Sequence, residues 1–119
     1  MMTLLIGIGG SVGAAARYVL GQWINQFLLF PFGTCLINIF GSFMLGVFMQ
    51  YYVSESITVG WWLFLGVGVC GGFTTFSTFG LEAVSLIEKK KWVLLILYVV
   101  VSVIISICSA WFGYMLYKL

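Results

Sequence analysis

Apolar positions run almost unbroken in four long stretches, at about 3–27, 34–53, 60–87 and 92–117. A helix needs roughly 20 apolar residues to cross the hydrocarbon core of a bilayer. Lipid offers no water to backbone amides and carbonyls, so a spanning segment must satisfy them within itself. The stretches are continuously apolar rather than alternating, which argues against a β-barrel. Punctuation between them is short: Pro31-Phe32-Gly33, Ser54-Glu55-Ser56, and Glu88-Lys89-Lys90-Lys91, with Lys118 closing the last. The expectation is an all-α membrane protein of four transmembrane helices, one domain over 1–119, with both termini on one side. Trp23, Trp61, Trp62, Trp92, Trp111, Tyr114 and Tyr117 fall near the ends of stretches. Such residues favour headgroup depth, so most are expected to be interface anchors.

The third stretch is too long and too glycine-rich for a plain span. At about 1.5 Å per residue it would reach roughly 40 Å. Its middle reads Gly66-Val67-Gly68-Val69-Cys70-Gly71-Gly72-Phe73-Thr74-Thr75-Phe76-Ser77-Thr78-Phe79-Gly80. Glycine and β-branched threonine are poor helix formers. Two readings stand: a helix broken near 72–78, at mid-membrane, or a small-residue packing face on an unbroken one.

Polar side chains inside the spans mark candidate chemistry. Phe76, Phe79 and Glu82 follow at intervals of three, so a helix places them on one stripe, with Phe79 over Glu82. An acid at that depth faces a cavity or partner, or else snorkels to the interface. Tyr98, Ser102 and Ser106 recur at i, i+4 and form a polar track. Ser109 reads better as a packing serine. Asn38 is either interhelical glue or an amide donor toward an anion. Gly9 and Gly13 make a GxxxG packing face. Arg17, well inside the first stretch, either ties a helix C-terminus or attracts anions to a vestibule.

Composition narrows the classes. Of 119 residues 63% are hydrophobic and 7% charged, against about 25% charged in a soluble domain. The chain has no His, so Ser-His and Cys-His pairs and ordinary zinc sites are absent. Glu55, Glu82 and Glu88 are too scattered for a Mg or Ca cage. A net charge of +2 without a basic face argues against nucleic acid. Cys35, Cys70 and Cys108 each lie in an apolar run and read as small buried residues, not as disulfide partners. The first stretch lacks a basic leader and reads as a span rather than a cleaved signal. The chain is not expected to be an enzyme.

Three motifs, in order and spacing, resemble the CrcB/Fluc family of fluoride channels over nearly the whole chain. They are Gly13-Ala14-Ala15-Ala16-Arg17-Tyr18; Gly33-Thr34 with Asn38 and Gly41-Ser42-Phe43; and Gly71-Gly72-Phe73-Thr74-Thr75-Phe76-Ser77-Thr78-Phe79. The resemblance implies an antiparallel, dual-topology dimer in the inner (plasma) membrane, with two fluoride pores along the subunit interface. It implies one structural sodium ion at the dimer centre, held by the backbone carbonyls of Gly71 and Thr74. Phe76 and Phe79 would form an aromatic box beside the pores, with Asn38, Thr75 and Ser77 as polar neighbours. Glu82, Tyr98, Ser102 and Ser106 would lead toward one vestibule. The implied role is passive efflux of fluoride from the cytoplasm, which lowers its toxicity.

Two other functions compete with this one. A small multidrug-resistance-type proton-coupled exporter needs an acid in its first helix, where this chain has Arg17 and none. A non-transporting assembly subunit would leave the polar track without a purpose. Charge adds an expectation about the partner. Lys89, Lys90 and Lys91 share one side with the first loop, whereas the other side holds Lys118 and Glu55. Positive charge near short loops stays cytoplasmic. The lysine loop is therefore expected inside, and the dimer partner is either a second copy or a similar chain with the reverse bias.

Overall fold

The computed structural model describes residues 1–27 and 32–118. Pro31, the expected turn residue, lies outside them. Among the described residues, four helical spans are long and apolar enough to cross a membrane: Met2–Asn25, Gly33–Val53, Val59–Glu88 and Trp92–Leu116. The first is α1, the second α2 and the last α6. The third is composite. It runs through α3 (Val59–Trp61), a π-helix (Trp62–Cys70), α4 (Gly71–Phe73) and α5 (Ser77–Glu88). Helical backbone stops at Phe73, Thr74 is extended at φ −83°, ψ 156°, and helix resumes at Ser77. The chain is 48 Å in its longest dimension. That matches a bilayer of about 40–45 Å including headgroups.

Packing relies on backbone approach more than on a large core. A Cβ at Gly13 would run into the Val69 carbonyl and lie 2.8 Å from the Phe73 amide. A Cβ at Gly9 would meet the Phe64 carbonyl. The GxxxG face thus lets α1 lie directly on the π-helix, as small residues do in membranes. Gly46 and Gly113 serve the α2–α6 crossing, where added carbons would strike the Ala110 and Phe43 carbonyls. The wide π turn also carries Trp62, whose ring covers Gly66 and stacks on Tyr52 at 5.5 Å. Trp62 is therefore a packed residue, whereas Trp23, Trp61, Trp92 and Trp111 are exposed as interface anchors would be.

A small buried cluster joins α2, α5 and α6 through Cys35, Phe79, Leu86 and Tyr98. Cys70 is also buried, but Cys108 is exposed, contrary to the expectation that all three cysteines are interior. On α6 the side chain of Cys108 faces outward, where an apolar thiol is compatible with lipid.

Two helices end in the same motif with opposite charges. At the end of α2, Glu55 N–H bonds the Tyr52 carbonyl, Ser56 N–H bonds that of Tyr51, and Glu55 has φ 61°. At the end of α5, Lys90 N–H bonds Ile87, Lys91 N–H bonds Leu86, and Lys90 has φ 55°. These are Schellman caps, in which the left-handed position is usually glycine. On the Glu55 side, Ser56 and the Tyr117 hydroxyl lie 3.1 Å apart. Hydrogen bonds with Ser56 and Ser54 hold that phenol below its ordinary pKa.

Candidate functional site

The site is organised by the non-helical segment between α4 and α5. Leaving the helix frees backbone groups that must find partners. Asn38, half-buried on α2, supplies two of them. Its amide nitrogen donates to the Thr75 carbonyl at 2.9 Å, and its side-chain oxygen accepts from the Thr75 N–H at 2.8 Å. The amide is thus used mainly as glue, with one N–H left over. Arg17 supplies a third: its Nε donates to the Gly72 carbonyl at 3.3 Å. Of the two readings of Arg17, the helix-end tie is what the geometry contains. Thr74 closes the last turn of α4 through both its N–H and its hydroxyl, each bonded to the Cys70 carbonyl. The Thr75 hydroxyl accepts from Thr78 N–H at 3.2 Å and lies 3.3 Å from the Ser77 hydroxyl.

Around this segment opens a cleft of about 290 Å³. Its polar lining is Asn38, Ser42, Thr74, Thr75, Ser102 and Ser106, and the Phe76 and Phe79 rings stand beside them. The Ser102 and Ser106 hydroxyl oxygens are buried and have no hydrogen-bond partner among the described residues. A buried hydroxyl without a partner costs about 1–3 kcal/mol, so a donor pair of this kind suits a ligand or water. Phe76 is 81% exposed and Phe79 8%, with ring centroids 5.6 Å apart. Phe79 stacks on Tyr98 at 5.2 Å.

Glu82 sits beyond the cleft, between α2 and α6. One carboxylate oxygen accepts from the Thr34 hydroxyl at 2.7 Å and the other from the Tyr98 hydroxyl. Glu82 is therefore held between α2 and α6. Ser109 donates to the Ile39 carbonyl at 2.8 Å and ties α6 to α2.

The geometry brings Asn38, Thr74, Thr75, Phe76, Phe79, Ser102 and Ser106 onto one cleft. It leaves Gly71, Ser77, Glu82, Tyr98 and Arg17 off that lining. Gly71 adopts ordinary right-handed backbone, φ −62° and ψ −40°, so its role is not to permit a special conformation. Ser42 and Thr34 were not singled out as site residues. Ser42 follows Asn38 by four on the same helix, a spacing that points both to one face. Thr34 carries no such signal, because its partner is 48 residues away.

A family pattern described as CrcB-like protein, Camphor Resistance (CrcB), matches residues 4–114. A protein named fluoride-specific ion channel FluC 1, from Halalkalibacterium halodurans, is 40% identical over 96% of this chain and 95% of its own length. One named FluC 3, from Methanosarcina barkeri, is 43% identical over 92% of this chain and 85% of its own length. One named FluC, from Erythrobacter litoralis, is 38% identical over 98% and 92%.

The chain belongs to the CrcB family.

Together with the four spans, that membership makes it a multi-pass protein of the plasma membrane. Against this background the clasp of Asn38 on Thr75 and the tie of Arg17 to Gly72 join three spans at one level of the fold.

Proposed function

We propose that this chain is the subunit of a fluoride-selective channel that lets fluoride leave the cytoplasm passively and so lowers its toxicity. The observation that carries the reading is the cleft lined both by Ser102 and Ser106, whose hydroxyls have no partner among the described residues, and by Phe76 and Phe79. Fluoride is small and strongly hydrated, so a pore must replace its water with donors, which Ser, Thr and the spare Asn38 N–H supply. The edge of a phenyl ring is the positive part of its quadrupole and can face an anion. A narrow passage lined by such rings excludes larger anions. The names of close relatives support the same substrate. A proton-coupled exporter is disfavoured because α1 carries no acid.

The third span acts in this reading as a broken helix, assembled at the centre of an antiparallel dimer with two pores. Sodium suits backbone carbonyl oxygens. The Gly71 and Thr74 residues fit such a role. Bonds from outside the helices reach the carbonyls of Cys70, Gly72 and Thr75, and among the described residues none reaches those of Gly71 and Thr74. Gly71 is exposed, with nothing within 4 Å of where a Cβ would stand, which leaves room for a partner chain. Bound at those carbonyls, sodium would supply fixed positive charge.

The test is efflux from liposomes read with a fluoride electrode. Phe76→Ile and Phe79→Ile keep bulk and remove the quadrupole, so efflux collapses while the protein still assembles. Unchanged efflux in both variants removes the rings from the mechanism. Because the lysine turn biases orientation, the partner is a similar chain of reverse bias, or else a second copy. Single cysteines at Ser54 and Lys90, labelled from outside the cell, separate the two. Equal labelling with full activity of the chain alone selects the second copy.

A further inference from the structure

The turn between α5 and α6 carries a feature that transport does not use. Lys89, Lys90 and Lys91 are consecutive and exposed, and hold three of the five cationic side chains of the molecule. Lys90 occupies the left-handed position of a Schellman cap, at φ 55°. Glycine is the usual residue there, and a side chain in that conformation is strained. The fold therefore keeps a lysine where glycine would be more stable, and strain retained in this way is a pointer to a role for the side chain. The turn fixes the depth of these charges as well. Trp92 opens α6 at 55% exposure, and Ile87 and Val93 on either side of the lysines are exposed apolar residues. Tryptophan favours headgroup level, a depth at which neighbouring ammonium groups meet lipid phosphates. The other end of the molecule differs. Its cation, Lys118, stands 5.0 Å from the Tyr114 ring, and Glu55 occupies the matching cap position.

We propose that the Lys89–Lys91 turn is a docking site for anionic phospholipid headgroups. The inference rests on the membrane-spanning fold and is independent of what the channel conducts. A lysine near an anionic membrane surface favours it by roughly five-fold in occupancy, and the attraction weakens as salt shortens the screening length to about 8 Å at physiological strength.

Purified protein is incorporated into nanodiscs of phosphatidylcholine with and without phosphatidylglycerol. The lipids retained after gentle detergent extraction are counted by native mass spectrometry. The native chain retains phosphatidylglycerol preferentially. Lys89→Gln, Lys90→Gln and Lys91→Gln each lower that preference by about five-fold, and Lys118→Gln leaves it unchanged. Lys90→Gly keeps the fold, since glycine prefers the cap conformation, and raises Tm in neutral detergent while lowering the preference. Equal retention by the native chain and the triple variant overturns the proposal. So does full displacement of the lipid by inorganic phosphate, which would make the turn a general anion site.

Discussion

The third span is two different structures on either side of Thr74–Phe76. Before that segment, the π-helix and α4 have no charged residue and pack by glycine against α1. After it, α5 carries Ser77, Thr78 and Glu82 and is held to α2 and α6 by side-chain hydrogen bonds. One half obtains its position from close backbone approach, which has no tolerance for added atoms. The other obtains it from polar pairs, which are graded and can be weakened one bond at a time. Between them, Asn38 and Arg17 occupy backbone groups that neither half satisfies. Each half should therefore fail in its own way.

The largest effect is expected in the glycine half. Gly13→Val adds carbons against the Val69 carbonyl and the Phe73 amide, which are backbone and cannot rotate away. Overpacking of this kind costs about 1–3 kcal/mol and more where nothing yields. The variant is expected to lose its folded, monodisperse peak on size exclusion in detergent. A Gly13→Val protein that elutes and melts like the parent would mean that α1 and the π-helix are not in backbone contact.

The clasp comes next. Asn38→Ala strands both the N–H and the carbonyl of Thr75, at about 1–3 kcal/mol for each unpaired buried group. Asn38→Asp separates the two contributions. A carboxylate still accepts from the Thr75 N–H but faces the Thr75 carbonyl with like polarity. Thermal unfolding in detergent should rank the parent above Asn38→Asp and Asn38→Ala. Equal stability of the parent and both variants would show that the segment is held by something other than this pair.

The polar half gives a divisible response. Tyr98→Phe and Thr34→Ala each remove one donor to Glu82, and hydrogen bonds to a charged group contribute about 1.5–3 kcal/mol. Because both donors serve one carboxylate, the double variant should differ from the sum of the single ones. Strict additivity, measured as a double-mutant cycle on unfolding midpoints, would uncouple Thr34 from Tyr98.

How much of this could be read in the sequence follows the same division. Apolar runs were enough to expect four helices able to span a membrane, because length and hydropathy alone decide whether a helix can cross. The Thr74-Thr75 pair falls in the segment between α4 and α5, whereas Gly71 and Gly72 lie inside α4, so residue propensity alone did not separate a break from a packing face. The π-helix over Trp62–Cys70 was not legible. Its residues suit an α-helix equally well, and the wider turn is visible only once Trp62 is seen lying over Gly66. The partners of Asn38 and Arg17 were also hidden. They lie 37 and 55 residues away and answer backbone groups, which leave no trace in side-chain periodicity. The spacing of Phe76, Phe79 and Glu82 carries no information on Tyr98, the ring from α6 that stacks on Phe79.

The smallest expected effect, Gly71→Val, sharpens the comparison most. Gly71 stands at the boundary of the two halves, and a conformational role for it is the obvious reading. Its backbone is right-handed helical, open to any residue. An added Cβ meets nothing within 4 Å, in contrast to its neighbour Gly72, where it would strike the Gly10 carbonyl. Within one chain, then, Gly71→Val should change the unfolding midpoint little, and valine's helix propensity slightly exceeds that of glycine. Gly72→Val should destabilise in the manner of Gly13→Val. Any loss of assembly or of fluoride efflux in Gly71→Val therefore reports on what lies outside the chain, namely a partner backbone or an ion at the Gly71 carbonyl. Measuring unfolding and oligomeric state on the same preparation separates the cases. A midpoint that falls together with assembly, as for Gly72→Val, would return Gly71 to the glycine-packed half. An unchanged midpoint with lost assembly assigns its open face to the dimer centre.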